Sequence, residues 1–177
     1  MQTNWYVITG GPGSGKTTLI NELQKRGHKT VEEAARLLIE QKLAQGLTLG
    51  QIRSDEMSFQ EQVFAHKQKQ HLALSGDEIT FLDRGFHDTV AYMKHFKLQV
   101  PKPILDVCKH TRYKRVFVLD MLSYARDSAR IEDEDTAQKL HKALIDVYQA
   151  YGYEITVVPP MPLAQRVKTI ESIALSS

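Results

Sequence analysis

The sequence predicts an α/β domain in which helices cover a parallel sheet of about five strands. Three observations carry this expectation. Short apolar runs at 5–9, 78–83, 115–120 and 154–158 alternate with amphipathic helical patterns. The runs at 78–83 and 115–120 each close on an acid, Asp83 and Asp120, as buried parallel strands beside a site do. The first run passes directly into Gly10-Gly11-Pro12-Gly13-Ser14-Gly15-Lys16-Thr17, where Gly10, Gly15, Lys16 and Thr17 fill every fixed position of the phosphate-binding loop pattern between a strand and a helix.

Taken in order, strand one at 5–9 feeds that loop, and the following helix carries Leu19, Ile20 and Leu23 on one face before Gly27 stops it. Residues 30–31 allow only a very short second strand. A helical pattern over 33–43 runs through Ala34, Leu37 and Leu38, and Gly46 and Gly50 bracket a turn. The stretch 52–74 reads as one long polar helix, half exposed over a site, with Met57, Phe64 and Leu72 among its sparse apolar positions. Strand three at 78–83 is followed by a helix from about Asp88, and Pro101 and Pro103 open another near Ile104. After strand four at 115–120 comes a charge-rich connection at 124–134. The next helix sets Ala137, Leu140, Leu144, Ile145, Tyr148 and Tyr151 at helical spacing. Strand five at 154–158 is followed by Pro159, Pro160 and Pro162, which turn the chain into a last helix through Val167, Ile170 and Ile173.

No repeat or low-complexity linker interrupts the 177 residues, so a single domain at 1–177 is expected. A formal charge of +2, without a run of five like charges, argues against a nucleic-acid partner and leaves small acidic substrates open. Cys108 is the only cysteine, which excludes a disulfide framework and reads as a core thiol. The seven histidines show no ligand spacing. With no uncharged apolar run of signal-peptide or membrane length, the chain is expected to be cytoplasmic, with no membrane partner.

The chemistry concentrates in the loop. The glycines allow several backbone N–H groups of 10–15 to converge on phosphate oxygens, and the helix that begins there adds its dipole. Lys16 supplies a cation for the β and γ phosphates, the Thr17 hydroxyl suits Mg²⁺, and Thr18 reaches the α phosphate, so ATP and Mg²⁺ are the expected ligands. Asp83 is either the carboxylate that holds a water of the Mg²⁺ shell or a cap on the next helix. Arg84 stands where water-using NTPases commonly carry a glutamate, and offers a cation to a second, anionic or hydroxylated substrate. His87 and Asp88 follow closely enough to face that acceptor. Guanine recognition through Asn-Lys-x-Asp is absent, because neither Asn4 nor Asn21 precedes a lysine.

Gly10 to Thr18, Asp83-Arg84-Gly85 and the later Arg126 and Arg130 resemble the P-loop small-molecule kinases, the nucleoside and nucleotide kinases. More narrowly, the chain is similar to short stand-alone P-loop proteins, predicted ATPases or kinases, related to the ribosylnicotinamide kinase domain. The shared pattern includes Glu33-Ala34-Ala35-Arg36, Asp120, Tyr148 and the shifted Tyr151-Gly152-Tyr153, then Val158-Pro159 and Arg166. The lid segment Arg126-Asp127-Ser128-Ala129-Arg130 departs from it, lacking a glycine after the acid.

The resemblance implies a three-layer P-loop fold with strand order 2-3-1-4-5 and a short lid after strand four. It also implies ATP- and Mg²⁺-dependent phosphoryl transfer to a small, nucleoside-like acceptor, with a nucleotide-driven ATPase or switch as the alternative. Glu33 would be the carboxylate beside the acceptor hydroxyl, unless Thr30-Val31-Glu32-Glu33 is a helix capping box. Arg36 would pair with Glu33 or grip the substrate. Arg126 would stack on adenine and Arg130 would stabilise the transferring group, unless both belong to a solvated charged loop. Pro159 would lie on the nucleotide side.

Overall fold

A computed structural model describes residues 2–121 and 134–176. The five strands are β1 (Trp5–Thr9), β2 (Lys29–Val31), β3 (Thr80–Asp83), β4 (Arg115–Leu119) and β5 (Ile155–Val158). They form one sheet in the order β2-β3-β1-β4-β5, and every pairing is parallel, as expected. Register follows from burial on both faces. Val7 pairs with Leu82 and Val116, and Ile8 with Asp83 and Phe117, so a one-residue slip would exchange the two apolar faces.

Alternate strand residues feed two separate cores. Val7, Leu82, Val116 and Val118 pack beneath α5 (Phe86–His95), α6 (Lys102–His110) and α7 (Glu134–Ala150). Tyr6, Ile8, Phe81, Phe117 and Leu119 pack beneath α1 (Lys16–Lys25) and α8 (Leu163–Leu175) on the other face. Three layers result. A third, smaller core of Ala34, Leu38, Ile52, Phe59 and Val63 lies among α2 (Ala34–Ala44), α3 (Leu49–Ile52) and α4 (Glu56–Leu72). Cys108 is a buried core thiol, and burial pushes its pKa up to about 12.

Some element expectations need correction. The stretch 52–74 is not one helix: α3 ends at Ile52 and α4 begins anew at Glu56, where the Asp55 side chain accepts from the Ser58 N–H. A capping box of Thr48 and Gln51 starts α3, so Gly50 lies inside a helix rather than beside a turn. Leu72 is exposed, whereas Phe64 is buried as expected, and the buried face of α4 also carries Gln60 and the four-spaced stripe Phe59, Val63, Lys67, His71. α5 starts at Phe86, because the Asp88 carboxylate reaches back to the Gly85 N–H. Among the described residues, no helix is long and apolar enough to cross a membrane.

Candidate active site

Positive φ at Gly10, Gly13 and Gly15 shapes the loop between β1 and α1. A Cβ on Gly10 would lie 2.5 Å from the Leu119 carbonyl oxygen, so the first loop position admits no side chain. The Lys16 ammonium turns back onto its own loop, donating to the carbonyls of Gly10 and Gly11 at 3.0 Å each and to Ser14 Oγ at 3.2 Å. Burial, reinforced by the neighbouring Arg84, lowers its pKa to about 8. Thr17 is half-buried and Thr18 exposed on the first turn of α1; Pro12 is half-buried. Behind the loop, buried Arg166 donates to the carbonyls of Ser14 at 2.6 Å, Asp120 at 3.1 Å and Pro159 at 3.2 Å. It thereby ties the loop to the ends of β4 and β5.

Thr17 and Asp83 line one cavity of about 300 Å³. Asp83 is buried, and its Oδ1 has no hydrogen-bond partner among the described residues. Burial and then Glu33 push its pKa up to about 6. The capping role that Asp83 might have filled on α5 belongs to Asp88, through the Gly85 N–H at 2.8 Å. An orphaned carboxylate oxygen in a cavity shared with a threonine hydroxyl fits a hard divalent cation and its water shell.

On the other side of Glu33 a cleft of about 490 Å³ opens between α2, α4 and α5. Its floor is charged. Arg84 Nε donates to Glu33 Oε1 at 2.7 Å, and Nη1 lies 3.2 Å from Asp88 Oδ1 and 3.4 Å from the Gly10 carbonyl oxygen. The residue holds φ 72, a left-handed backbone that a non-glycine residue adopts only when its surroundings enforce it. Burial works to raise the Glu33 pKa, but Arg84 and Lys16 outweigh it and hold the carboxylate below its ordinary range. Lys67 Nζ donates to the Gly85 carbonyl at 2.8 Å and to Thr89 Oγ1 at 3.1 Å. Phe59, Val63 and Tyr92 supply apolar walls, and Gln60, Arg36 and Arg53 also line the cleft.

Glu33 occupies the N-cap position of α2 but makes no capping bond, and Thr30 lies within β2, so the capping-box alternative is set aside. Arg36 lines the cleft but pairs with Glu40 at 3.1 Å, not with Glu33. His87 does not face the acceptor cleft. It is fully buried amid the rings of Tyr113, Tyr148, Tyr151 and Tyr153, because the first turn of α5 rotates it toward α7. Asp88 is likewise unavailable to an acceptor: its oxygens are taken by Thr9 at 2.6 Å, Tyr148 at 2.6 Å, Gly85 and Arg84. Arg126 and Arg130 lie outside the described residues. Sequence reasoning missed Lys67, and the legible signal was a lysine within the four-spaced stripe of α4. It also missed His141, whose Nδ1 accepts from the Gly11 N–H at 3.3 Å.

The sequence matches the AAA domain family over residues 5–166. No curated protein matches. Among solved structures, thymidylate kinase from Ehrlichia chaffeensis is similar with a TM-score of 0.69 and 15% identity, covering 98% of this chain and 99% of that one. Deoxyadenosine kinase from M. mycoides with bound dCTP gives 0.66 at 18% identity, covering 98% and 100%. Shikimate kinase from Acinetobacter baumannii in complex with shikimate gives 0.60 at 19% identity, covering 99% and 94%. The likeness is one of fold, and the fold is that of the P-loop kinases.

Proposed function

The chain belongs to the AAA domain family, and within it we propose a kinase that moves the γ-phosphoryl group of ATP to a small hydroxylated acceptor. The carrying observation is the pairing of half-buried Glu33 with buried Arg84, 2.7 Å apart, between the phosphate loop and the cleft. An ionised carboxylate at that junction can take the proton of an acceptor hydroxyl. Arg84, rather than a glutamate, follows Asp83, so no carboxylate stands there to orient an attacking water.

Lys16 would exchange the Gly10 and Gly11 carbonyls for phosphate oxygens, Arg126 would stack on adenine and Arg130 would stabilise the transferring group. Pro159, whose carbonyl accepts from Arg166, would border the nucleotide. Mg²⁺, held by Thr17 and through water by Asp83, would neutralise charge on the phosphates. The arginines of the cleft are answered by carboxylates, Arg84 by Glu33 and Asp88, Arg36 by Glu40, and Arg53 by Glu56, whereas Lys67 donates to the Gly85 carbonyl and the Thr89 hydroxyl. Those pairings, with Phe59 and Tyr92 in the walls, support a hydroxylated and nucleoside-like acceptor.

The test compares ADP release from ATP alone with release in the presence of nucleosides and other hydroxylated metabolites, reading phosphorylated products by mass. Turnover without acceptor is expected to be slow, and Glu33→Gln is expected to cut acceptor-dependent kcat by roughly 10²–10⁴ while ATP affinity stays within a few-fold. Brisk ATP hydrolysis without acceptor, unaffected by Glu33→Gln, would instead establish the nucleotide-driven ATPase or switch.

A further inference from the structure

α7 crosses the phosphate loop so closely that a Cβ on Gly11 would lie 3.2 Å from both the Ala137 carbonyl oxygen and His141 Cβ. At this crossing the Gly11 N–H donates to His141 Nδ1 at 3.3 Å, and His141 Nε2 lies 3.5 Å from Asp120 Oδ1 at the end of β4. An imidazole whose Nδ1 accepts carries its proton on Nε2 when neutral, and that nitrogen is the one turned to Asp120. The ring is mostly buried, with 16% of its side chain exposed. Inside the loop the Gly11 carbonyl accepts from Lys16 Nζ and from Ser14, but a phosphate chain would draw Lys16 away. The His141 bond would then be the anchor left on this corner from outside the loop.

We propose that His141, held in one tautomer by Asp120, is a positioning residue of the phosphate loop and makes the loop's affinity for nucleoside di- and triphosphates fall as the medium becomes acidic. The proposal rests on the reading that this loop holds a nucleotide. Protonation turns Nδ1 into a donor, so the Gly11 N–H loses its acceptor and faces another N–H. The added charge is answered by Asp120, not left free for the phosphates. Burial, then Lys16 from α1, disfavour the protonated ring, and Asp120 from β4 opposes them, which leaves the pKa below its ordinary value. On α7 itself, Lys139 and Lys142 are turned to the exposed side and paired with Asp135 and Asp146.

Calorimetric titration of the full chain with Mg·ADP, from about pH 8 to about pH 5.5, tests this. His141→Leu should lose roughly three- to tenfold in affinity at about pH 8, the range for one neutral hydrogen bond. His141→Asn, whose amide oxygen takes the place of Nδ1, should keep wild-type affinity there. The ratio of wild-type to Asn-variant dissociation constants should then climb as pH falls, which cancels the titration of ADP itself. Asp120→Asn should move that climb to lower pH. Superposed wild-type and Asn-variant curves, or an unchanged Leu variant, would overturn the proposal while leaving nucleotide binding intact. Absence of ADP binding to wild type at every pH would overturn the nucleotide reading, and the proposal with it.

Discussion

His87 carries a titratable ring into a box of four tyrosines, and among the described residues neither ring nitrogen has a hydrogen-bond partner in good geometry. Burial, only partly opposed by Asp88 and by the nearby Cys108 backbone, lowers its pKa from 6.5 to about 4. The folded state therefore refuses a proton that the unfolded chain accepts across this interval. A histidine with a depressed folded pKa contributes its full share of stability above the unfolded value, and that share is lost as pH falls. By about pH 5 the loss amounts to about 2 kcal/mol for this one residue. His71, also lowered to about 4 by burial, adds a second acid-sensitive site. His87→Phe keeps an aromatic ring in the box and removes both orphaned nitrogens. Urea denaturation is expected to find this variant more stable than wild type at neutral pH, with the difference widening by about 2 kcal/mol at about pH 5. A difference that does not change with pH would contradict this account of the ring.

At the scale of elements, the turn from β3 into α5 concentrates the site's packing. Gly85 has an ordinary extended backbone, but a Cβ there would meet Tyr148 Oη at 2.7 Å and Tyr113 at 2.9 Å. Tyr148 cannot easily retreat, since its hydroxyl donates to Asp88 at 2.6 Å. Gly85→Ala is therefore expected to cost about 1–3 kcal/mol, as overpacked cores do, measured by urea denaturation. Unchanged stability would mean that the tyrosine pair has slack. This turn also marks the boundary of what the sequence makes legible. Local signals suffice for the loop, the strands and most helices, because apolar period, glycine placement and strand-end acids act over a few residues. The break before Asp55 was written in the same terms, as an N-cap acid after Ser54, yet the polar run on either side masked it. Contacts such as Arg166 to Ser14, 152 positions apart, or His141 to Gly11, 130 apart, have no local signature. Lys67 falls between these cases: its stripe is local, while its partners Gly85 and Thr89 are supplied by the fold.

Across the whole molecule, the three cores divide the labour between support and binding. The two larger cores sandwich the sheet and hold β1, β3 and β4, whose ends carry the loop, Asp83 and Asp120. The third core joins α2 to α3 and the first half of α4, and the chief packing of α2 is against those helices rather than the sheet. α4 straddles the division: Phe59 and Val63 belong to the small core and Phe64 to a large one. One wall of the acceptor cleft therefore rests on a few apolar side chains, while the phosphate loop rests on the main body. Local opening free energies follow buried apolar contact, so α2 should open at lower cost than the central strands. Native-state hydrogen exchange is expected to show the α2 amides exchanging through openings well below the global unfolding free energy, with β1, β3 and β4 protected up to it. The Glu33–Arg84 bond is the side-chain tie from the start of α2 to the end of β3, so Arg84→Ala should accelerate exchange in α2 far more than in β4. Uniform protection of α2 and β1 would instead make the small core an integral part of one cooperative unit, with a cleft of fixed width.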